Sequence, residues 1–111
     1  MKKTVPGNRA RGTTTGRPIM VLLDLLGRKQ SLRILWELQE GPLTFRDLQA
    51  RCDNISPTVL NTRLKELREA LIVEHTGNSG YELTRLGADL MAALAPISSW
   101  SKRWAKQFPT S

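Results

Sequence analysis

The stretch Ile55-Ser56-Pro57-Thr58-Val59-Leu60-Asn61-Thr62-Arg63-Leu64-Lys65-Glu66-Leu67-Arg68 carries the clearest structural signal in the chain. Ser56 can cap a helix by accepting a hydrogen bond from an orphan backbone N–H, and Pro57 suits the first helical position because its φ is fixed. Apolar residues recur at steps of three and four, as on a buried helical face: Leu60, Leu64, Leu67 and Leu71. We therefore predict a helix over residues 56–70.

The other faces of this helix combine short polar groups with cations. They carry Thr58, Asn61, Thr62, Lys65 and Arg68. Such side chains suit the base edges and phosphates of a DNA major groove. An ordinary amphipathic surface helix has the same pattern, so these residues alone leave both interpretations open.

Length and charge limit the classes of protein to which the chain can belong. Its 111 residues are enough for one small domain with a modest core. The net charge of +7 favours a polyanionic partner, either nucleic acid or an anionic membrane surface. Residues 1–17 hold five basic residues and no acidic one, which leaves twelve basic residues against ten acidic ones elsewhere. The folded part is therefore only mildly basic, and a DNA-binding surface on it must be polarised.

The residue content also restricts chemistry and location. A single cysteine, Cys52, excludes an internal disulfide and a zinc site built on several thiolates. One histidine, no glycine-rich phosphate loop and no suggestive acid pair argue against an enzyme. No apolar run approaches the roughly 18 residues that span a bilayer, and no secretory signal is visible. We expect a soluble cytoplasmic protein with no metal, no other cofactor and no membrane partner.

The first part of the chain divides at Pro18. Residues 1–17 are rich in Thr, Gly, Arg and Lys and are predicted to be a disordered basic arm, either lying along DNA or acting as a plain tail. Residues 19–26 are apolar on nearly all sides, with Asp24 as the only charge. Such a helix is either central to the core or part of a subunit interface.

A second helix is predicted over residues 31–39. It ends at Gly41-Pro42, since glycine tolerates a left-handed cap and proline cannot continue the hydrogen-bond ladder. Its inward side chains are expected to be Leu32, Leu35, Trp36 and Leu38.

A third, shorter helix completes a recognisable supersecondary unit. Thr44 is placed to cap it, and it runs to Cys52. Arg46 in its first turn is either a phosphate contact or a solvated side chain. Asp53-Asn54 has the composition of a turn between this helix and the one at Ser56. A short helix, a tight turn and a longer helix with a polar face form a helix-turn-helix.

The remainder reads as a short β-hairpin followed by a helix. Residues 71–76 and 81–83 favour strands on either side of a turn at residues 77–80. Thr84 can cap the last helical region, which Pro96 should bend or divide. An aromatic stripe then follows at four-residue spacing, made by Trp100, Trp104 and Phe108.

From Gly27 to about Trp104 the chain resembles the HxlR-type winged helix-turn-helix regulators of bacteria. The order and spacing of several short stretches carry the resemblance, although each stretch alone is weak. They are Leu25-Leu26-Gly27-Arg28-Lys29, Leu35-Trp36-Glu37-Leu38, Gly41-Pro42-Leu43-Thr44-Phe45-Arg46-Asp47-Leu48, Ile55-Ser56-Pro57, Val59-Leu60, Arg63-Leu64-Lys65-Glu66-Leu67 and Leu83-Thr84-Arg85-Leu86-Gly87.

The resemblance implies a mainly α fold with a small β-hairpin over residues 18–108. It implies a homodimeric transcription factor that binds a pseudo-palindromic site in double-stranded DNA, with the helix at Ser56 in the major groove. Base-edge contacts are expected from Thr58, Asn61 and Thr62. Phosphate contacts are expected from Ser56, Arg46, Arg63, Lys65, Arg28 and Lys29. The dimer is expected to form through Ile19, Val21, Leu22, Leu25, Leu94, Ile97, Trp100, Trp104 and Phe108.

Three departures from the family pattern qualify these expectations. The family commonly has a cysteine before its first helix, whereas this chain reads Thr15-Gly16-Arg17-Pro18; Cys52 is expected to be a half-buried structural thiol rather than a sensor. Leu71 stands where a glycine usually follows the recognition helix. The wing tip at residues 77–80 is short and carries no arginine or lysine, which weakens minor-groove reading by the wing.

Other interpretations remain open at this stage. Arg63 either contacts a phosphate or fixes the turn by pairing with an acid such as Asp47. The alternative function is a winged-helix module that dimerises or docks on another protein without specific DNA binding. A small-molecule effector at the dimer interface is left open, and nothing in the sequence specifies one.

Overall fold

The computed structural model describes residues 17–78 and 80–109, and in this part of the chain five helices and three strands form. In chain order they are α1 (Pro18–Leu26), α2 (Ser31–Leu38), β1 (Leu43–Thr44), α3 (Phe45–Arg51), α4 (Pro57–Glu69), β2 (Val73–His75), β3 (Gly80–Leu83) and α5 (Arg85–Ala105). The predicted basic arm, apart from Arg17, lies outside the described residues.

The strands form one antiparallel sheet in the order β1-β3-β2. Val73 pairs with Leu83 in the predicted hairpin, and Leu43 pairs with Tyr81 on the other edge of β3. The prediction of a two-stranded hairpin was therefore incomplete. The pairing of Leu43 with a strand nearly forty positions later is a long-range contact that local patterns do not reveal.

The core lies between the helices and is almost wholly aliphatic. The predicted buried face of α4 is confirmed for Leu60, Leu64 and Leu67. They pack in one cluster with buried residues of α1, α2, α3, the sheet and α5: Leu25, Leu26, Ile34, Leu35, Leu38, Leu48, Cys52, Ile55, Ile72, Val73 and Met91. Burial of each such side chain contributes about 1.5–3 kcal/mol relative to exposure.

The orientation of α2 differs from the prediction. Leu35 and Leu38 point inward as expected, but Leu32 is 46% exposed and Trp36 is 54% exposed. Ile34 takes the buried place instead. Because Leu32, Leu35, Trp36 and Leu38 span two adjacent faces of a helix, sequence periodicity alone did not decide which face the core would cover.

The end of α4 also departs from the prediction, which placed Leu71 on the buried face. Leu71 is exposed and adopts the left-handed conformation, with φ of 66°. Its N–H donates to the Arg68 carbonyl, and the N–H of Ile72 donates to the Leu67 carbonyl, each at 3.0 Å. These two bonds make a Schellman cap, so the cap normally supplied by glycine forms here on a leucine.

α5 is attached to the start of β2 by Thr84 and Gly87. The Thr84 hydroxyl donates to the Leu71 carbonyl at 2.7 Å and accepts from the Gly87 N–H at 2.9 Å, which confirms the predicted cap. A Cβ at Gly87 would overlap the Ile72 carbonyl oxygen, so glycine permits this close approach. Pro96 does not divide the helix, which continues to Ala105.

Candidate nucleic-acid interface

The turn between α3 and α4 is built from consecutive left-handed residues. Asp53 and Asn54 have φ of 59° and 56°, a conformation that asparagine and aspartate tolerate better than most residues. The Gln49 side-chain amide donates to the Ile55 carbonyl at 3.0 Å and holds the exit of the turn. The predicted turn therefore fixes the angle at which α4 leaves α3.

α4 begins as predicted. The Ser56 hydroxyl oxygen accepts from the Val59 N–H at 3.1 Å, and Pro57 occupies the first turn. A serine cap of this kind contributes about 1 kcal/mol to the stability of a helix. The start of α4 is exposed, so its positive dipole end faces outward, and within the described residues the Ser56 O–H donates to no acceptor.

The outer face of α4, defined by Thr58, Asn61, Thr62 and Lys65, is exposed along its length. The Thr62 hydroxyl donates to the Thr58 carbonyl at 2.9 Å, so only its lone pairs remain for another partner. Within residues 17–78 and 80–109, the side chains of Asn61 and Lys65 have no hydrogen-bonding or ionic partner. Asn61 thus keeps both donors and its acceptor available, as a bidentate contact to adenine requires.

Two further cations are exposed near the ends of neighbouring elements. Lys29 precedes α2, and Arg46 lies in the first turn of α3. Neither side chain has an ionic partner in the described part of the chain. An exposed cation with no internal partner is available to a phosphate.

Two of the predicted phosphate contacts are instead engaged inside the protomer. Arg28 pairs with Asp24 at 3.0 Å and with Glu66 at 2.7 Å. Arg63 pairs with Glu66 at 3.0 Å, and its Nε donates to the Lys29 carbonyl at 2.8 Å. Both guanidinium groups are therefore already paired inside the protomer, which makes them less available to a phosphate than the sequence predicted. Arg63 pairs with an acid, as one of its two interpretations held, but that acid is Glu66, three residues later on the same helix, and not Asp47.

The hairpin of β2 and β3, the wing, presents two carboxylates. Glu74 of β2 and Glu82 of β3 are directly opposite each other in the sheet. The ring of His75 contacts that of Tyr81, with centroids 4.5 Å apart. Residues 72–84 contain no lysine or arginine. Carboxylates repel phosphates, so this hairpin is poorly suited to contact a nucleic-acid backbone.

A second exposed surface has the opposite chemistry. We call it the apolar face; it groups exposed and half-buried apolar side chains of α1, α2, α5 and the segment just after α5: Ile19, Met20, Leu23, Leu32, Trp36, Leu94, Ile97, Trp100, Trp104 and Phe108. A groove of about 590 Å³ runs through it, lined by Leu23, Trp36 and Ile97 among others. An exposed apolar area of this kind marks an interaction surface.

The predicted dimer residues divide into two groups. Ile19, Ile97 and the aromatic stripe are exposed, and Leu22 and Leu94 are half-buried. Val21 and Leu25 are only 3% and 2% exposed, so they belong to the core of the protomer and the prediction is corrected for them. Leu23, Leu32 and Trp36 also lie on the apolar face and were not among the predicted residues, since their exposure depends on which sides of α1 and α2 the other helices cover.

The aromatic rings of Trp100, Trp104 and Phe108 contact one another within the protomer. The rings of Trp100 and Trp104 stack with centroids 6.1 Å apart and an angle of 11° between planes. Phe108 meets Trp104 edge-on, with centroids 5.3 Å apart. These contacts hold the three rings as one preformed surface while leaving about half of each exposed.

Cys52 is more buried than predicted, with 1% exposure. Burial raises the pKa of its thiol, Arg33 opposes this shift, and Glu37 and Asp53 add to it. A protonated, inaccessible thiol reacts poorly with oxidants and electrophiles. The structure thus favours the structural role. Among the described residues no His, Cys, Asp and Glu cluster could hold a metal ion, and no helix is long and apolar enough to cross a bilayer.

Comparison with known sequences places this architecture in a family. The family model described as the HxlR-like helix-turn-helix matches residues 25–109. The chain belongs to the HxlR family. The winged helix-turn-helix that the sequence pattern predicted is thereby confirmed, as is the assignment to transcriptional regulators.

Individual relatives agree with this assignment. The uncharacterised HTH-type regulator YvaP of Bacillus subtilis is 32% identical over 88 residues, covering 74% of this chain and 82% of YvaP. The structure of quinone-bound YodB from the same species has a TM-score of 0.67 and 32% identity, covering 81% of this chain and 96% of YodB. A MarR-family regulator of Enterococcus faecalis has a TM-score of 0.74 and 25% identity, over 90% and 96% of the two chains.

Proposed function

We propose that this HxlR-family regulator binds DNA sequence-specifically as a homodimer, in the cytoplasm, with α4 in the major groove. The observation that carries the proposal is the outer face of α4, where Asn61 and Lys65 are exposed and unpaired within the described residues. A helix that only packed against its own protomer would not need this combination. Thr58, Asn61 and Thr62 read base edges in this proposal, since they lie in the first half of the helix.

Phosphate contacts come from a smaller set than the sequence predicted. Lys29, Arg46 and Lys65 are exposed cations, and the Ser56 hydroxyl lies at the positive end of α4. Arg28 and Arg63 are not part of the set, because their guanidinium groups are already paired. Three cations per protomer give roughly six phosphate contacts for a dimer, enough for strongly salt-dependent binding.

The apolar face supports the homodimer. Exposed tryptophans, isoleucines and leucines on α1, α2 and α5 lose contact with water if a second copy covers them. A two-fold axis through this face presents two copies of α4 on the same duplex. For a helix-turn-helix dimer the two half-sites lie about 34 Å apart, one turn of DNA, and the site is a pseudo-palindrome.

The decisive experiment selects bound sequences from random DNA with the purified protein and measures its mass in solution. We expect a dimer that enriches a pseudo-palindrome with half-sites one turn apart. A dimer that enriches no sequence would instead support the alternative, a winged-helix interaction module. A monomer that enriches no sequence would contradict both halves of the proposal.

A further inference from the structure

Four charged side chains join α1, the loop after it and α4; we call them the Glu66 network: Asp24, Arg28, Arg63 and Glu66. Glu66 is central, because each of its two carboxylate oxygens accepts from a different arginine. Oε2 accepts from Arg28 at 2.7 Å and Oε1 accepts from Arg63 at 3.0 Å. Arg28 extends the network to Asp24 of α1 at 3.0 Å.

The network also attaches α4 to the backbone of the loop between α1 and α2. The Nε of Arg63 donates to the Lys29 carbonyl at 2.8 Å. All four side chains of the network are mostly shielded from solvent. The network contains two cations and two anions, so its net charge is zero. Loss of one member leaves a shielded, uncompensated charge, which lowers the free energy of unfolding.

The network connects the two surfaces on which the proposed function depends. On one side, α4 presents Asn61 and Lys65 to solvent. On the other, α1 contributes Ile19 and Leu23 to the apolar face. A carboxylate bound to two guanidinium groups has a defined geometry. Glu66 therefore adds a directional constraint on the angle between α1 and α4 to the one that core packing imposes.

We propose that Glu66 is a positioning residue that holds α4 at one angle to the dimerisation helices, and thereby sets the half-site spacing that the dimer accepts. This inference rests on the proposed function. Each added base pair moves the half-sites about 3.4 Å further apart and rotates one about the duplex axis. A dimer with firmly held recognition helices rejects such sites, whereas one with loosely held helices tolerates them.

The test compares binding to palindromic sites in which the spacing is changed by one and two base pairs. Glu66→Gln keeps the shape of the side chain but replaces one acceptor oxygen with a donor that faces an arginine. Glu69→Gln is the matched control, since it makes the same change on the same helix, where Glu69 has no ion pair within the described residues. We expect Glu66→Gln to lose about tenfold in affinity at the preferred spacing and much less at the others, an effect in the usual range for coupling between sites. Glu69→Gln should retain the preference of the wild type.

Destabilisation alone gives a different result. A smaller folded fraction weakens binding to every spacing by the same factor, so an equal loss across spacings would overturn the positioning role. A weaker preference for one half-site spacing in Glu69→Gln would also overturn the positioning role. If Glu66→Gln does not fold, Arg28→Lys keeps the positive charge but lacks the fork that reaches both Asp24 and Glu66. It should flatten the preference in part, and an unaltered preference would count against the proposal.

A measurement without DNA separates this inference from the proposed function. A spin label on Asn61→Cys reports the distance between the two α4 helices of a dimer, and buried Cys52 is not labelled. The distance distribution should be narrow in the wild-type background and with Glu69→Gln, and broad with Glu66→Gln. A narrow distribution in all three refutes the positioning role. Broadening by Glu66→Gln in a protein that selects no DNA sequence supports it while refuting the proposed function, and a monomer overturns both.

Discussion

The outer face of α4 and the apolar face are both exposed in the isolated protomer, but water affects them in opposite ways. Asn61 and Lys65 are well hydrated when unpaired, so the α4 face is stable in a free protein. Trp36, Ile97 and Trp104 each gain about 25 cal/mol for every Å² of apolar surface removed from water. The difference is what the proposed dimer requires: one surface that binds reversibly and another that a second subunit covers.

Salt should have the largest effect that distinguishes the two faces, because it should weaken DNA binding by α4 but not dimerisation through the apolar face. Raising the salt concentration from 50 to 200 mM is expected to weaken DNA binding about 10³-fold, because roughly six phosphate contacts release their counterions. The mass of the dimer should not fall over the same range, since apolar contacts are not screened. The checks are fluorescence anisotropy and analytical ultracentrifugation on the same samples. Parallel loss of dimer and complex would show that charge, not apolar contact, holds the dimer.

A charge placed in the apolar face should have the next largest effect. Ile97→Lys is expected to weaken dimerisation by about 2 kcal/mol or more, roughly 30-fold, because the ammonium group must be desolvated in the interface. Ala88→Lys makes a similar change on the roughly opposite side of α5, where Ala88 is exposed, and should have little effect. The dimer dissociation constant of each variant tests this, and equal constants would show that the second subunit lies elsewhere.

Two substitutions on the outer face of α4 should affect DNA binding in different ways. Asn61→Ala is expected to cost about 1–3 kcal/mol on the selected site and to relax specificity at one position. Lys65→Ala should weaken all sequences about equally and reduce the salt slope by about 1, since it contacts phosphate only. Binding of both variants to the selected site and to random DNA is the measurement. If both variants lost affinity for random DNA equally, Asn61 would not be a residue that recognises base edges.

The smallest expected effect concerns the cap that ends α4. Leu71→Gly should raise the free energy of unfolding by about 1 kcal/mol or less, because glycine adopts a φ of 66° without the cost that a side chain imposes. Leu71 is exposed, so little apolar burial is lost. Thermal or denaturant unfolding measures the gain. Unchanged DNA affinity would confirm that stability by itself does not alter reading, and a less stable variant would show that the leucine side chain contributes to the fold.

Much of the architecture could be predicted from local signals in the sequence. The caps at Thr44, Ser56 and Thr84 were predicted, because each hydroxyl bonds to a backbone N–H three residues later. The leucine spacing of α4 identified its buried face for a similar reason, since helical geometry alone relates residues three and four apart. The candidate reading residues followed directly, as they occupy the remaining sides of the same helix.

Two parts of the candidate site depended on contacts between distant residues. Arg28 and Glu66 are 38 positions apart, and only folding brings them together, which is why the proposed set of phosphate contacts leaves Arg28 out. Leu32 and Trp36 fit either of two faces of α2, and the neighbouring helices decide which face is covered. A pattern in the sequence states that a side chain is charged or apolar; it does not state what the chain will place against it.

The sequence by itself determined the five helices, the hairpin, the three N-terminal caps, their order and the family, because these depend on short-range hydrogen bonds and local periodicity. It did not reveal β1. The tertiary structure alone decided which cations are paired inside the protomer and which hydrophobic residues stay exposed. The physical reason is the same in each case: burial and pairing are properties of two or more segments, and their free energy exists only after those segments have packed together.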